Sequence, residues 1–272
     1  MRASRAPGLV GRGVAANVDP VPDAGSAANR RFYARLWSAS TLVSPERFNT
    51  WPLLSALATD APARLEIGPG LRPRLPVPGT CFVDVSREAV RALRALGGLA
   101  VAGDVAALPF PDAAFDLVCA FDVVEHVDDD RRIFRELERV SRAGATVVFA
   151  VPLDPARWTV FDELVGHVRR YEPDALVAIV QAHGLALERS ATFGMEPRSR
   201  WLLRAAAWGL QHRPEQAMRW YDAVFMPLGL RLQRTLALTP GLIDTAGVGE
   251  VLLVCRRIAG AARRESARRD RR

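Results

Sequence analysis

Leu65-Glu66-Ile67-Gly68-Pro69-Gly70 is an apolar run that ends in Gly-x-Gly. Glycines at that spacing let a chain turn sharply at the end of a strand and bring its backbone close to a ligand. The next apolar run, Phe82-Val83-Asp84-Val85-Ser86, places Asp84 where a carboxylate can accept hydrogen bonds from two ribose hydroxyls. Singly, Gly-Pro-Gly is a turn and Asp84 a helix cap. Together they favour a nucleotide-like ligand. A second group of residues is Asp122, Glu125 and His126, followed much later by His167, Arg169, Arg170 and Tyr171. Two carboxylates and an imidazole can hold a divalent ion. Glu125 and His126 read more simply as opening a helix, where a carboxylate caps free N–H groups. No metal is therefore expected, and activity is expected to survive chelation. His126 is a candidate general base or substrate-orienting group.

Residues so placed need strands that end together and helices that follow them. Strands are predicted at 64–67, 81–85, 100–102, 115–121, 145–151, 185–193 and 250–256, and helices at 87–96, 130–141 and 173–182. The last of these helices has Pro173 at its first position and Gly184 just past its end. This alternation predicts an α/β fold, a doubly wound, mostly parallel seven-stranded sheet whose last strand is antiparallel. Spacing of Phe32, Leu36, Trp37 and Leu42, then Trp51, Leu54 and Leu57, predicts two short helices ahead of it. The expected divisions are a disordered tail at 1–30, a helical cap at 31–60, and a main domain at 61–197 and 241–258. A helical insertion at 198–240 and a basic tail at 259–272 complete the list.

Composition narrows the class. The 272 residues are 49% hydrophobic and 25% charged, which is ordinary for a globular chain. Cys81, Cys119 and Cys255 are far apart inside apolar runs, so they read as buried thiols and not as a disulfide framework. No apolar run reaches the roughly 18 residues of a membrane span, and no leader pattern opens the chain, so the expected address is cytoplasmic. All 37 basic residues are arginine. Residues 256–272 carry eight Arg against Glu265 and Asp270, and residues 1–31 carry five against Asp19 and Asp23. The charge thus lies largely on the ends, which argues against the folded body as a nucleic-acid binder.

Four blocks in order give a resemblance: LEIGPG at 65–70, FVDVS at 82–86, GDVAALPFPDAAFDLVCAFDVVEHV at 103–127 and HVRRYEPDAL at 167–176. They resemble class I S-adenosylmethionine-dependent methyltransferases, specifically the small-molecule (type 11) group that includes ubiquinone and menaquinone biosynthesis enzymes. The resemblance covers about 60–195 and the final strand pair. It implies S-adenosylmethionine as cofactor, with Glu66, Gly68 and Gly70 in the cofactor loop and Asp84 on the ribose. Asp104 and Val105 would lie at the adenine amino group, and Phe121 and Asp122 near the reactive methyl. His126, His167 and Tyr171 would line the acceptor side as candidate catalytic residues.

One block departs from the pattern. After the glycine loop a helix is usual, but Leu71–Pro78 contains three prolines and is expected to be irregular. Arg72 or Arg74 would then meet the cofactor carboxylate in place of a helix end, since guanidinium and carboxylate pair bidentately. The implied activity is methyl transfer to an O or N atom of a small-molecule acceptor, lipophilic or glycolipid-like if the insertion forms a lid. Trp201, Trp208, Trp220 and Phe225 with Arg200, Arg204, Arg213 and Arg219 also suit peripheral contact with an anionic membrane. A dehydrogenase would need G-x-G-x-x-G, and an amine methylase of nucleic acids would need N/D-P-P-Y/F after the fourth strand; both are absent. A non-catalytic cofactor-binding protein is the alternative. Acceptor identity and oligomeric state stay open.

Overall fold

The computed structural model describes Tyr33, Trp37, residues 40–194 and residues 200–259. Most of the expected tails at 1–30 and 259–272 therefore lie outside the described residues. Five strands come first: β1 Arg64–Ile67, β2 Cys81–Asp84, β3 Leu99–Ala102, β4 Phe115–Phe121 and β5 Ser141–Pro152. Helix α1 (Trp51–Asp60) precedes them, α2 (Arg87–Ala95) joins β2 to β3, and α3 (Asp130–Val140) joins β4 to β5. Then come α4 (Val160–Val165), α5 (Pro173–Ala182), β6 (Leu185–Thr192), three helices α6 (Arg200–His212), α7 (Pro214–Trp220) and α8 (Met226–Leu232), β7 (Thr239–Pro240) and β8 (Glu250–Arg257). Tyr221–Phe225 forms a π-helical turn between α7 and α8.

The sheet runs β3-β2-β1-β4-β5-β8-β6-β7. From β3 to β5 every pairing is parallel, and β8 lies antiparallel to both β5 and β6. The strand order reverses between β1 and β4, and at such a switch point ligands bind beyond the carboxyl ends of the strands. The central strands are buried on both faces, which is why they read as continuous apolar runs and not as alternating ones. One face packs on Ile133, Phe134 and Leu137 of α3 and Leu176 of α5, the other on Leu54 and Ala58 of α1 with Leu75.

Where the structure adds to the expected elements, the additions are local. β7 is an eighth, two-residue edge strand inside the expected insertion, paired with Arg189 and Ser190 of β6. β5 starts at Ser141, directly after α3, because Ser141 already pairs with Phe115 before the register shifts to Leu117–Thr146. Leu71–Pro78 contains no helix, as its prolines require. Ser86 caps α2 by accepting from the Ala89 N–H.

Candidate functional site

The carboxyl ends of β1, β2 and β3 lie side by side. Gly68 N–H donates to Val83 O (2.8 Å), and Gly103 N–H donates to Asp84 O (3.1 Å). Gly68 and Gly70 take φ of 63° and 55°, a region where a side chain is strained. A Cβ on Gly68 would stand 2.7 Å from Val123, and one on Gly70 2.1 Å from the Trp37 indole. Asp84 is buried and accepts from Gly70 N–H (2.8 Å) on one oxygen and Ser86 N–H (2.7 Å) on the other. Burial pushes its carboxyl up to about 6, against those two bonds, which favour the ionised form. At the end of β3, Asp104 turns the chain by accepting from Ala106 N–H, and Val105 is packed in the core behind it.

Glu66 does a different job from its neighbours. Its carboxylate is buried and accepts from the Arg74 and Leu75 N–H groups (both 2.9 Å), so it ties down the proline-rich segment. Burial drives its pKa up to about 7 despite these donors. The resemblance places Glu66 in the cofactor loop, and its carboxylate is here engaged by the backbone of the segment that follows that loop.

The two arginines of that segment also separate. The Arg72 guanidinium is held between the rings of Trp37 (5.2 Å) and Tyr221 (5.0 Å) and donates to the Tyr221 hydroxyl (3.2 Å). Arg74 is buried over Phe48 (3.9 Å), with Phe121 and Phe193 about equally near at 5.6 and 5.5 Å. The charges of Asp122, Glu66 and Glu250 bear on it. Arg74, not Arg72, therefore faces Phe121 and Asp122. Tyr33 stacks on Trp37 and meets the edge of His126, so an aromatic segment lies along the glycine loop. Sequence periodicity marked Trp37 as helical but not as a neighbour of Gly70.

Asp122, just past β4, has a left-handed φ of 55° that few residues other than glycine adopt. The turn Val124–His126 follows it as a single 3₁₀ turn and does not begin a helix. Here the structure joins two sequence blocks. Val168 N–H donates to Glu125 O (2.9 Å), and His126 Nδ1 is 3.1 Å from Gly166 O. The rings of His126 and His167 stand 4.7 Å apart, and His167 Nε2 is 3.7 Å from Glu125 Oε1. His167 Nδ1 is 2.8 Å from Asp162, which also holds Arg170 and Thr159. Burial opposes the charge of Asp162, but those donors keep its carboxyl well below the usual range. Burial and then the neighbouring His167 push His126 down to about 3, and burial with the Asp122 charge pushes Glu125 well up. His126 and His167 are thus brought together, while Tyr171 is not: its hydroxyl donates to Asp130 (2.9 Å) and its backbone bridges Pro152 and Asp154. Asp162 gave no signal in the sequence, being one of several acids in a short helix.

These residues fit S-adenosylmethionine at its adenosyl half. Asp84 keeps further lone pairs for hydroxyl donors, two glycines leave the loop without side chains, and a second acid stands one strand away. Among the described residues no helix begins directly after the glycine loop, and Arg74 is the buried cation of that segment.

Residues 78–149 match a family model described as a methyltransferase domain. Demethylmenaquinone methyltransferase of Roseiflexus sp. (strain RS-1) is 31% identical over 133 residues, 46% of this chain and 54% of the relative. Ajmaline N-methyltransferase of Rauvolfia serpentina is 44% identical over 46 residues, 17% of this chain and 16% of that one. The chain thus spans about half or less of the length of these curated relatives. Among solved structures, the 4+2 cyclase SpnF superposes with a TM-score of 0.52 at 18% identity over 89% of this chain and all of the other. A possible histamine N-methyltransferase from Thermotoga maritima gives 0.51 at 14%, covering 85% and 91%. Both likenesses speak to the fold alone. Residues 78–149 are thus similar to a methyltransferase domain, and about half of the chain is similar to a demethylmenaquinone methyltransferase.

Proposed function

We propose that the protein transfers a methyl group from S-adenosylmethionine to an O or N atom of a small-molecule acceptor. The observation that carries this reading is the alignment of Gly68–Gly70, Asp84 and Asp104 along three adjacent strand ends within and beside the matched residues 78–149. When bound, the cofactor supplies a methyl already activated on a sulfonium, so the protein's task is mainly positioning. Asp84 accepts from the ribose, Asp104 from the adenine amino group, and Arg74 meets the carboxylate that a helix end would otherwise hold. Phe121 and Asp122 form the floor, and Tyr33 with Trp37 excludes water from the outer side of the loop. His126, held by its Nδ1 contact with the Gly166 carbonyl and set against the His167 ring, orients the acceptor.

A lipophilic or glycolipid-like acceptor, met at an anionic membrane surface, is favoured by the insertion. Trp208 and Trp220 are 56% and 57% exposed, and Phe225, Leu228 and Leu232 are exposed on the same three-helix run. Exposed Arg204, Arg213, Arg219 and Arg231 lie among them. Indole and guanidinium at one surface suit the boundary between acyl chains and charged headgroups.

The experiment is transfer of labelled methyl from the cofactor into fractionated lipid and small-amine or phenol pools. Label is expected in an apolar fraction with wild-type protein and not with Asp84→Ala. Cofactor binding without transfer into any pool would favour a non-catalytic protein. The fold itself is shared with a chain described as a cyclase and does not decide this.

A further inference from the structure

We propose that the turn entering α4, residues 157–161, is a docking element for a lipid surface with anionic headgroups. The polarity of this segment is inverted. Asp162 of α4 is fully buried, whereas Trp158, Val160 and Phe161 beside it are 38%, 46% and 37% exposed. Three large apolar side chains exposed within four residues form a cluster, unlike the singly scattered ones that any surface carries.

Hydrogen bonds build the inversion into the fold. Asp162 accepts from the Thr159 N–H (2.7 Å) and hydroxyl (2.8 Å) and from the Arg170 guanidinium (2.8 and 3.1 Å), and its Oδ1 stands 2.8 Å from His167 Nδ1. These partners hold the acid inward and leave its apolar neighbours outside. Just upstream, Asp154 turns the chain out from the end of β5 at a left-handed φ of 63°. Its carboxylate accepts from Ala156 N–H (3.0 Å), and its own N–H donates to Tyr171 O (2.9 Å).

Lipid suits this surface better than a protein partner. A stable protein interface takes about 800 Å² from each side, and three side chains exposed to this degree supply only a fraction of that. Aromatic rings on a short turn can enter fluid acyl chains, which demand no matching shape. Charge agrees with that choice. Arg157 is exposed beside Trp158, and α4 packs beside α6, which carries exposed Arg204. Glu163 is an exposed acid of α4, but residues 198–240 carry seven Arg against Glu215 and Asp222. The turn stands beyond the carboxyl end of β5, on the segment that leads to His167, so docking here brings the carboxyl edge of the sheet toward the lipid. Entry of an apolar acceptor from that side rests on the methyltransferase reading; lipid binding by 157–161 does not, and it is separate from the contact proposed for the insertion.

The test uses the full chain without cofactor, and vesicles of equal parts phosphatidylcholine and phosphatidylglycerol at low salt. Wild-type protein is expected to sediment with them, and Trp158→Ser/Phe161→Ser, checked for folding by circular dichroism, to partition at least tenfold more weakly. Trp158→Phe keeps an aromatic ring and is expected to bind like wild type, while quenching of tryptophan emission by brominated acyl chains falls. Absence of sedimentation by wild type overturns the proposal. So does full sedimentation of the folded double variant, or quenching that Trp158→Phe leaves unchanged. A concentration-dependent dimer in sedimentation velocity, lost in the double variant, would give the surface to a second copy of the chain and overturn it as well.

Discussion

Asp84 and Glu66 are two buried carboxylates one strand apart, and their surroundings give them different work. In its proposed role Asp84 has to be ionised to accept from ribose hydroxyls, yet burial pushes its carboxyl up to about 6. Affinity for S-adenosylhomocysteine should therefore be steady above pH 7 and fall by up to about tenfold per unit below pH 6. Calorimetry across pH 5–8 on wild type and Asp84→Asn checks it; a flat wild-type profile would remove Asp84 from the ribose. Glu66 affects stability instead. Its folded pKa of about 7 lies above its usual 4.5, so the folded state takes up its proton more readily than the unfolded chain. The associated stability is full below about pH 4.5 and is lost as pH rises through 7. Glu66→Gln, which keeps an acceptor for the Arg74 and Leu75 N–H groups, should gain on wild type by up to about 3 kcal/mol between pH 5 and pH 8. Urea melts that show the same difference at both pH values would contradict this. Residue types and spacing made both acids legible as candidates, but not their division of labour, because the partners of Glu66 lie in a segment whose course the prolines alone do not dictate.

At the scale of elements, apolar runs and capping residues made the strands and helices readable from β1 to α5 to within a residue or two at most ends, α4 excepted, whose six residues carry too little periodicity. β7 escaped because two residues carry no periodicity, and its pairing with β6 exists only in three dimensions. The contact of the Tyr33–Trp37 segment with the glycine loop escaped for the same reason. It makes a sharp prediction. Gly70→Ala would place a methyl in the Trp37 indole at a left-handed φ, so it should destabilise the protein by about 1–3 kcal/mol. Chemical denaturation and a red shift of tryptophan emission would report it. A stability equal to wild type would mean that Trp37 does not rest on the loop. The three-helix insertion is held to the body at Met226 and Leu230, which pack on Phe48, and at Tyr221, which meets Arg72. Met226 and Leu230 are thus core packing, while Trp208, Trp220, Phe225, Leu228 and Leu232 are exposed.

For the whole molecule, the sheet gathers chemistry at one edge and leaves basic, aromatic helices on the flank. No helix among the described residues is long and apolar enough to cross a membrane. Contact with lipid would therefore be peripheral, and electrostatic attraction should make it salt-sensitive. Sedimentation with anionic vesicles at low salt, lost at high salt and weakened in Trp208→Ala/Trp220→Ala, is the expected result; no sedimentation at low salt would reject it. Sequence motifs at the ends of β1, β2 and β3 were legible because each is local to one strand end. They could not reveal the cluster of Glu125, His126, Asp162 and His167, which is assembled from the turn after β4, α4 and the loop before α5. The central claim is that Gly68–Gly70, Asp84 and Asp104 form an adenosyl site. Isothermal titration of the protein with S-adenosylhomocysteine at pH 7.5 tests it most directly. One site is expected, weakened at least tenfold in a folded Asp84→Ala variant, since a charged hydrogen bond contributes about 1.5–3 kcal/mol. No heat in wild type, or equal affinity in the variant, would contradict the account.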